Sequence, residues 1–140
     1  MIRVQCRGQA SLEYLIVFGA FAAMLAVFLG VALNVFFLGL GALDVLHAKG
    51  FVESIQWHSR SLEVLGVGSA SLVKGSAFNE WGIALEEGLF IVSVHDSKNG
   101  KIKTVQVPVE NLSMVESKTI KGPFVVALQR VEEGVQLSFK

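Results

Sequence analysis

At 140 residues the chain has room for one domain rather than two large ones. Its 12 basic and 12 acidic side chains cancel, which leaves no basic footprint for nucleic acid and no polyacidic tail. The apolar share is 52%, and the excess is concentrated in the N-terminal third, unlike an ordinary soluble domain.

The chain opens with a short basic segment, Met1–Gly8, that carries Arg3 and Arg7 and ends in glycine. Gln9-Ala10-Ser11-Leu12-Glu13-Tyr14-Leu15 follows, and from Tyr14 to Leu43 there is no charged residue. A secretory signal places its small-residue cleavage site after an apolar stretch of roughly 7–15 residues. Here the basic leader and its glycine come before the run. The only cysteine, Cys6, also precedes it, whereas a lipoprotein cysteine would follow one. Residues 9–140 therefore hold no thiol for a disulfide or a Cys-ligated metal.

Residues 12–43 are predicted to be helical, because backbone polar groups in lipid need internal partners. The uncharged run spans about 45 Å at 1.5 Å per residue, against roughly 30 Å for a hydrocarbon core. A simple anchor does not need that excess, whereas a helix that later packs in a protein filament would use it. Gly19, Gly30, Gly39 and Gly41 would admit close helix approach or mark kinks. Phe18, Phe21, Phe28, Phe36 and Phe37 supply bulk around the helix, and the lone amide, Asn34, needs a partner if buried.

From Asp44 the pattern becomes amphipathic: Val45, Val52, Ile55 and Leu62 recur near helical spacing between Lys49, Glu53, Gln56 and Arg60. One helix is expected over 9–62, apolar over 14–43 and amphipathic over 44–62, with its second half lying on a globular domain. Arg3 and Arg7 hold the N-terminus inside, so the domain that follows faces outside.

Residues 63–140 read as an antiparallel β domain, a sheet or small sandwich of five to seven strands. Phe90, Val92 and Val94 alternate with polar or outward residues, as do Val105, Val107 and Val109. Asn99-Gly100 between them predicts a two-residue hairpin loop that sets Val94 opposite Val105. Pro108 cannot donate a ladder hydrogen bond, which makes its strand an edge. Glu86-Glu87-Gly88 and Glu132-Glu133-Gly134 read as three-residue hairpin loops, and Phe124–Leu128 as a central strand.

No catalytic pattern stands out: there is no H-E-x-x-H, P-loop or G-x-S-x-G. His47 and His58 lie about 16 Å apart along one helix face, too far to share a metal, and His95 is on a strand beside a turn. No cofactor, metal site or enzymatic activity is expected. Asn111-Leu112-Ser113 is the single N-glycosylation sequon, placed in an outward loop. Trp57 and Trp81 are expected to anchor the helix–sheet contact.

Gly8 followed by Gln9-Ala10-Ser11-Leu12-Glu13-Tyr14-Leu15 resembles the class III signal peptide of archaeal type IV pilin-like proteins, with Arg7 where that family has Lys. The resemblance covers residues 7 to about 43. It implies a leader, residues 1–8, cut by a prepilin peptidase between Gly8 and Gln9, and an apolar run kept as an assembly helix. It further implies membrane insertion before assembly, then a homo-oligomeric filament at the cell surface containing other pilins. Glu13 would be an assembly determinant, paired with the amine that cleavage creates at Gln9. An unpaired buried carboxylate would cost several kcal/mol. A minor pilin or pseudopilin, and a single-pass membrane-anchored surface domain that binds a ligand, are the alternatives.

Overall fold

The computed structural model describes residues 5–96, 100–114 and 116–140, with side chains from Ser11 onward. One helix, α1 (Gln5–Val64), precedes six strands: β1 (Ala70–Glu86), β2 (Leu89–His95), β3 (Ile102–Pro108), β4 (Leu112–Met114), β5 (Lys118–Val131) and β6 (Gly134–Phe139). The fold is therefore α+β, a long apolar helix followed by a sheet. The chain divides into two units, one ending at Gly39 and the other running over Leu40–Lys140.

The described residues of the first unit are helix alone. Its hydrogen-bonded backbone continues through Gly19, Gly30 and Gly39, so none of these glycines interrupts it. A methyl group at any of the three would meet nothing within 4 Å. Among the described residues no contact requires them, and they leave the helix surface open to another helix.

In the second unit α1 has a buried stripe at 3.6-residue spacing: Asp44, Ala48, Phe51, Val52, Ile55, Ser59 and Leu62. Val45 packs at its margin. Phe51 is the hub, with its ring 6.1 Å from Trp81, 6.1 Å from Phe90 and 5.2 Å from Phe124. Alternate residues of four strands close the other side of this core: Val73, Ala77, Trp81 and Ile83; Phe90, Val92 and Val94; Phe124, Val126 and Leu128; Val135 and Leu137. Trp57 does not join them. It is 65% exposed, on the helix face turned away from the sheet, which corrects the expectation that both tryptophans anchor the contact.

The strand order is β3-β2-β1-β5-β6-β4. As Pro108 implies, β3 is an edge, and the 124–128 segment lies in β5 between β1 and β6. The sheet is not wholly antiparallel, because β4 runs parallel to β6 with Leu112 facing Val135. Val135 N donates to Asn111 O at 2.8 Å, which fastens the start of this short strand. Gly134 makes the approach possible, since a Cβ there would collide with the Asn111 carbonyl. Three residues carry too little alternation to be read as a strand in sequence.

Register and turns depart from expectation in two places. Val94 faces Lys103 and Val92 faces Val105, so the β2–β3 pairing is displaced by two residues from the tight-loop prediction. Asn99 lies outside the described residues. The loop is closed by Asp96 N to Lys101 O and Gly100 N to Asp96 O, both 2.9 Å. An even displacement keeps every side chain on its own face, so the valines still share one surface with Phe90. The two Glu-Glu-Gly turns are both two-residue loops, between Glu86 and Leu89 and between Val131 and Gly134. In the first, Glu87 and Gly88 take positive φ (49° and 79°), as a type I′ turn requires. In the second, neither Glu132 nor Glu133 does, and Gly134 instead takes φ 148° beside β4.

Candidate functional site

The expected assembly surface is the apolar run over 14–43, and residues 11–39 of α1 belong to the first unit. Every described side chain there is exposed, among them Phe18, Phe21, Met24, Phe28 and Phe36. A helix apolar on all sides is stable only in lipid or among other helices. Glu13 is also exposed, one residue before the uncharged run, and Asn34 lies on the exposed surface within it. Gly8 and Gln9 are on the α1 backbone, which starts at Gln5, ahead of the expected cut and of the expected first helical residue.

The second unit holds a site that sequence reading missed. Between Ala77, which faces Gly122, and Trp81, which faces Ile120, β1 carries Phe78, Asn79 and Glu80 against the single residue Lys121. This bulge lifts Phe78 and Asn79 out of the ladder and frees their N–H groups. Asp44 accepts both, from Phe78 N at 3.0 Å and from Asn79 N at 2.8 Å, and also the Trp81 indole N–H at 2.8 Å. The carboxylate is fully buried. Isolated, such a group would be very costly. Three donors in good geometry satisfy it, each hydrogen bond to a charged group being worth about 1.5–3 kcal/mol. Asp44 thus fastens α1 to the sheet at the point where the uncharged run ends. A signal was present: Asp44, Ala48, Phe51 and Ile55 share 4-3-4 spacing, so the charge falls in the core stripe.

Further along, Gln56 Nε2 donates to Pro108 O at 3.0 Å, and the Ser71 hydroxyl meets His58 Nδ1 at 2.9 Å. A hollow of about 130 Å³ lies among Gln56, Ser59, Arg60, Glu63, Pro108, Val109 and Glu110. Ligand pockets are typically ~300–1,000 Å³, so this one suits a few waters. The buried Ser59 hydroxyl at its wall has no protein partner. His47 stacks on Phe78 at 5.2 Å, and the buried His95 Nδ1 is unpartnered. Among the described residues no three His, Cys, Asp or Glu side chains converge on a metal position.

Asn111 sits in the turn between β3 and β4 with φ 57° and an exposed side chain. Its Nδ2 is 3.4 Å from Glu63 Oε1, while Ser113 Oγ points back to Val135 O at 3.4 Å. The structure thus gives Asn111 a folding role, through its carbonyl, whether or not the amide carries a sugar. Glu13, the expected cleavage pair and Asn111 do not form one site: the first three lie on the helix of the first unit and Asn111 on the rim of the sheet.

Comparison with known proteins gives no match to a family model, to a curated protein or to a solved structure.

Proposed function

We propose that the chain is a pilin-like structural subunit whose leader is removed between Gly8 and Gln9 by a prepilin peptidase. In this reading the precursor is held in the cell membrane with its N-terminus inside and its β domain outside. The mature chain then assembles through α1 into an archaeal type IV adhesion-type pilus, as a homo-oligomeric filament with other pilins. A minor pilin or pseudopilin would use the same parts.

One observation carries the reading. The α1 surface over 14–39 is apolar on every side, exposed and free of charge, and it stands directly behind Arg7-Gly8-Gln9 and Glu13-Tyr14-Leu15. Burying each large side chain against other copies contributes roughly 1.5–3 kcal/mol. A heterologous contact repeated along one axis gives an open helical polymer. In this reading Glu13 pairs with the Gln9 amine of its own or a neighbouring subunit, a pairing that cyclisation of the terminal Gln to pyroglutamate would remove. The Asp44 clamp supports the same reading, because a load-carrying subunit needs its domain fastened to the assembly helix.

Mass spectrometry of the N-terminus, on protein purified from cells, tests the proposal. A mature chain starting at Gln9 is expected. A chain starting at Met1 would leave a membrane-anchored surface domain, and one starting near Ala42 a secreted domain. Asn111 glycosylation is a separate part of the proposal, checked by the intact mass of the native subunit.

A further inference from the structure

Two exposed apolar patches lie at opposite ends of the second unit. At one end, the foot, Leu43, Leu46 (63% exposed) and His47 lie on α1, and Phe78 stacks on His47 from the bulge. At the other end, the tip, Val64 (89%), Leu65 and Val67 (65%) protrude where α1 passes into β1. Strand β1 runs back along α1 between them: Phe78 meets Asp44, whereas Ser71 meets His58. Leu46 and Val64 are about 27 Å apart along the helix at 1.5 Å per residue. Neither patch is loose chain. The Asp44 clamp holds the foot. The tip is tied by Leu65 N to Leu62 O at 3.1 Å, Gly68 N to Arg130 O at 2.9 Å and Ser69 N to Gly66 O at 3.2 Å. Side chains on a backbone fixed in this way lose little freedom on docking.

Opposite charge surrounds the two patches. Beside the foot stand Lys121, opposite the bulge, and Lys101 and Lys103 on the β3 side, with Lys103 paired to Val94 and Val94 to Trp81. Glu80 and Asp96 lie at the same end, so apart from the buried Asp44 the cations lead by three to two among the described residues. Around the tip stand Glu63, which ends the helix, Glu110 across the hollow from it, and Glu132 and Glu133 in the turn just beyond Arg130. Arg60 and Arg130 are their counterparts, so there the carboxylates lead by four to two.

We infer that the foot of one copy docks on the tip of another, a head-to-tail contact between the β domains of this chain. Foot on foot would set lysine against lysine, and tip on tip glutamate against glutamate, arrangements that like charge disfavours. Foot on tip covers apolar area on both partners and sets the lysines against the glutamates at its rim. Because the two surfaces differ, each copy can dock one neighbour at either end, and repetition gives an open polymer rather than a closed pair. Six apolar side chains with a charged rim make a small contact, which needs copies already held close together. The inference therefore rests on the filament reading, in which packing of α1 supplies that proximity.

Cross-linking in filaments sheared from cells tests it. Every variant carries Cys6→Ser, which removes the only cysteine, and Leu46→Cys and Val64→Cys are introduced singly and together. Leu43→Cys and Val67→Cys stand in where a variant fails to assemble. Filaments are treated with a short bis-maleimide, too short to join the two positions within one copy, and resolved by denaturing electrophoresis. The double variant is expected to give a ladder of multimers, co-assembled single variants to give dimers, and each single variant by itself to stay monomeric. Dimers from one single variant by itself mean a like-with-like contact and overturn the inference, as do products that contain a different protein. Charge supplies a second measurement. Glu132→Lys with Glu133→Lys on the Val64→Cys chain should lower the dimer yield severalfold, and Lys101→Glu with Lys103→Glu on the Leu46→Cys chain should restore it. A yield indifferent to the first pair, or not recovered by the second, overturns the pairing of these two ends. Filaments that form without the cross-link bring down this inference alone. A Cys6→Ser chain found only as membrane-bound monomer brings down the filament reading and this inference together.

Discussion

Two stretches of one helix, residues 14–39 and 44–64, meet opposite fates. The first exposes bulky apolar side chains on every side, whereas the second hides one stripe against a sheet and leaves Trp57 outside. Exposure therefore does not follow hydrophobicity along α1. It follows whether the chain carries its own partner for that face. The second stretch is completed within the molecule by β1, β2, β5 and β6. The first has no such partner among the described residues.

The most direct way to break this contrast is to release the second stretch. Asp44→Ala removes the acceptor of the buried Trp81 indole N–H and of the part-buried Phe78 and Asn79 amides, at up to about 1–3 kcal/mol each. A loss of at least 3 kcal/mol is expected, close to the whole stability of a marginal domain. Denaturant unfolding in detergent micelles, followed by Trp81 emission, would check it. Asp44→Asn keeps one acceptor oxygen and should lose less.

Phe51→Ala and Phe28→Ala form a matched pair across the two stretches. The first removes the hub of the aromatic cluster and should cost about 3–5 kcal/mol in the same unfolding measurement. The second should leave monomer stability unchanged and lower filament yield, since its side chain is exposed. Equal destabilisation by both would erase the contrast.

Glu13→Ala should leave cleavage and membrane insertion intact while cleaved monomer accumulates in the membrane. Removing a charge makes the helix easier to embed, by up to a few kcal/mol toward the bilayer centre. Only an assembled state would lose a partner for the Gln9 amine. Immunoblotting of membrane and filament fractions separates the outcomes, and a normal filament yield would reduce Glu13 to an interfacial residue.

Trp57→Ala should have the smallest effect, within about 0.5 kcal/mol, despite removing the largest side-chain type. An unfolding midpoint shifted as far as that of Phe51→Ala would mean that the outer face of α1 is covered.

What the sequence determined by itself is local. An uncharged run longer than a bilayer needs specified the helix without reference to anything else in the chain, but not its start, which lies at Gln5, ahead of the expected residue. Pro108 made its strand an edge because a missing N–H is a property of one residue, and the alternation of Phe90, Val92 and Val94 fixed which face is buried. The candidates Gly8, Gln9, Glu13 and Asn111 were read in the same local way, from short patterns, and the fold itself does not test them. What only the tertiary structure decided depends on residues far apart. The bulge at Phe78–Glu80 shows only against Lys121, and Asp44 is an anchor only because that bulge frees two amides beside it. One tripeptide, Glu-Glu-Gly, makes two different turns, since Gly134 must clear the Asn111 carbonyl and Gly88 has no such neighbour so close. Trp57 carries as much apolar area as Trp81, but a helix can turn only one face to a sheet, and Ala48, Phe51 and Ile55 already occupy it.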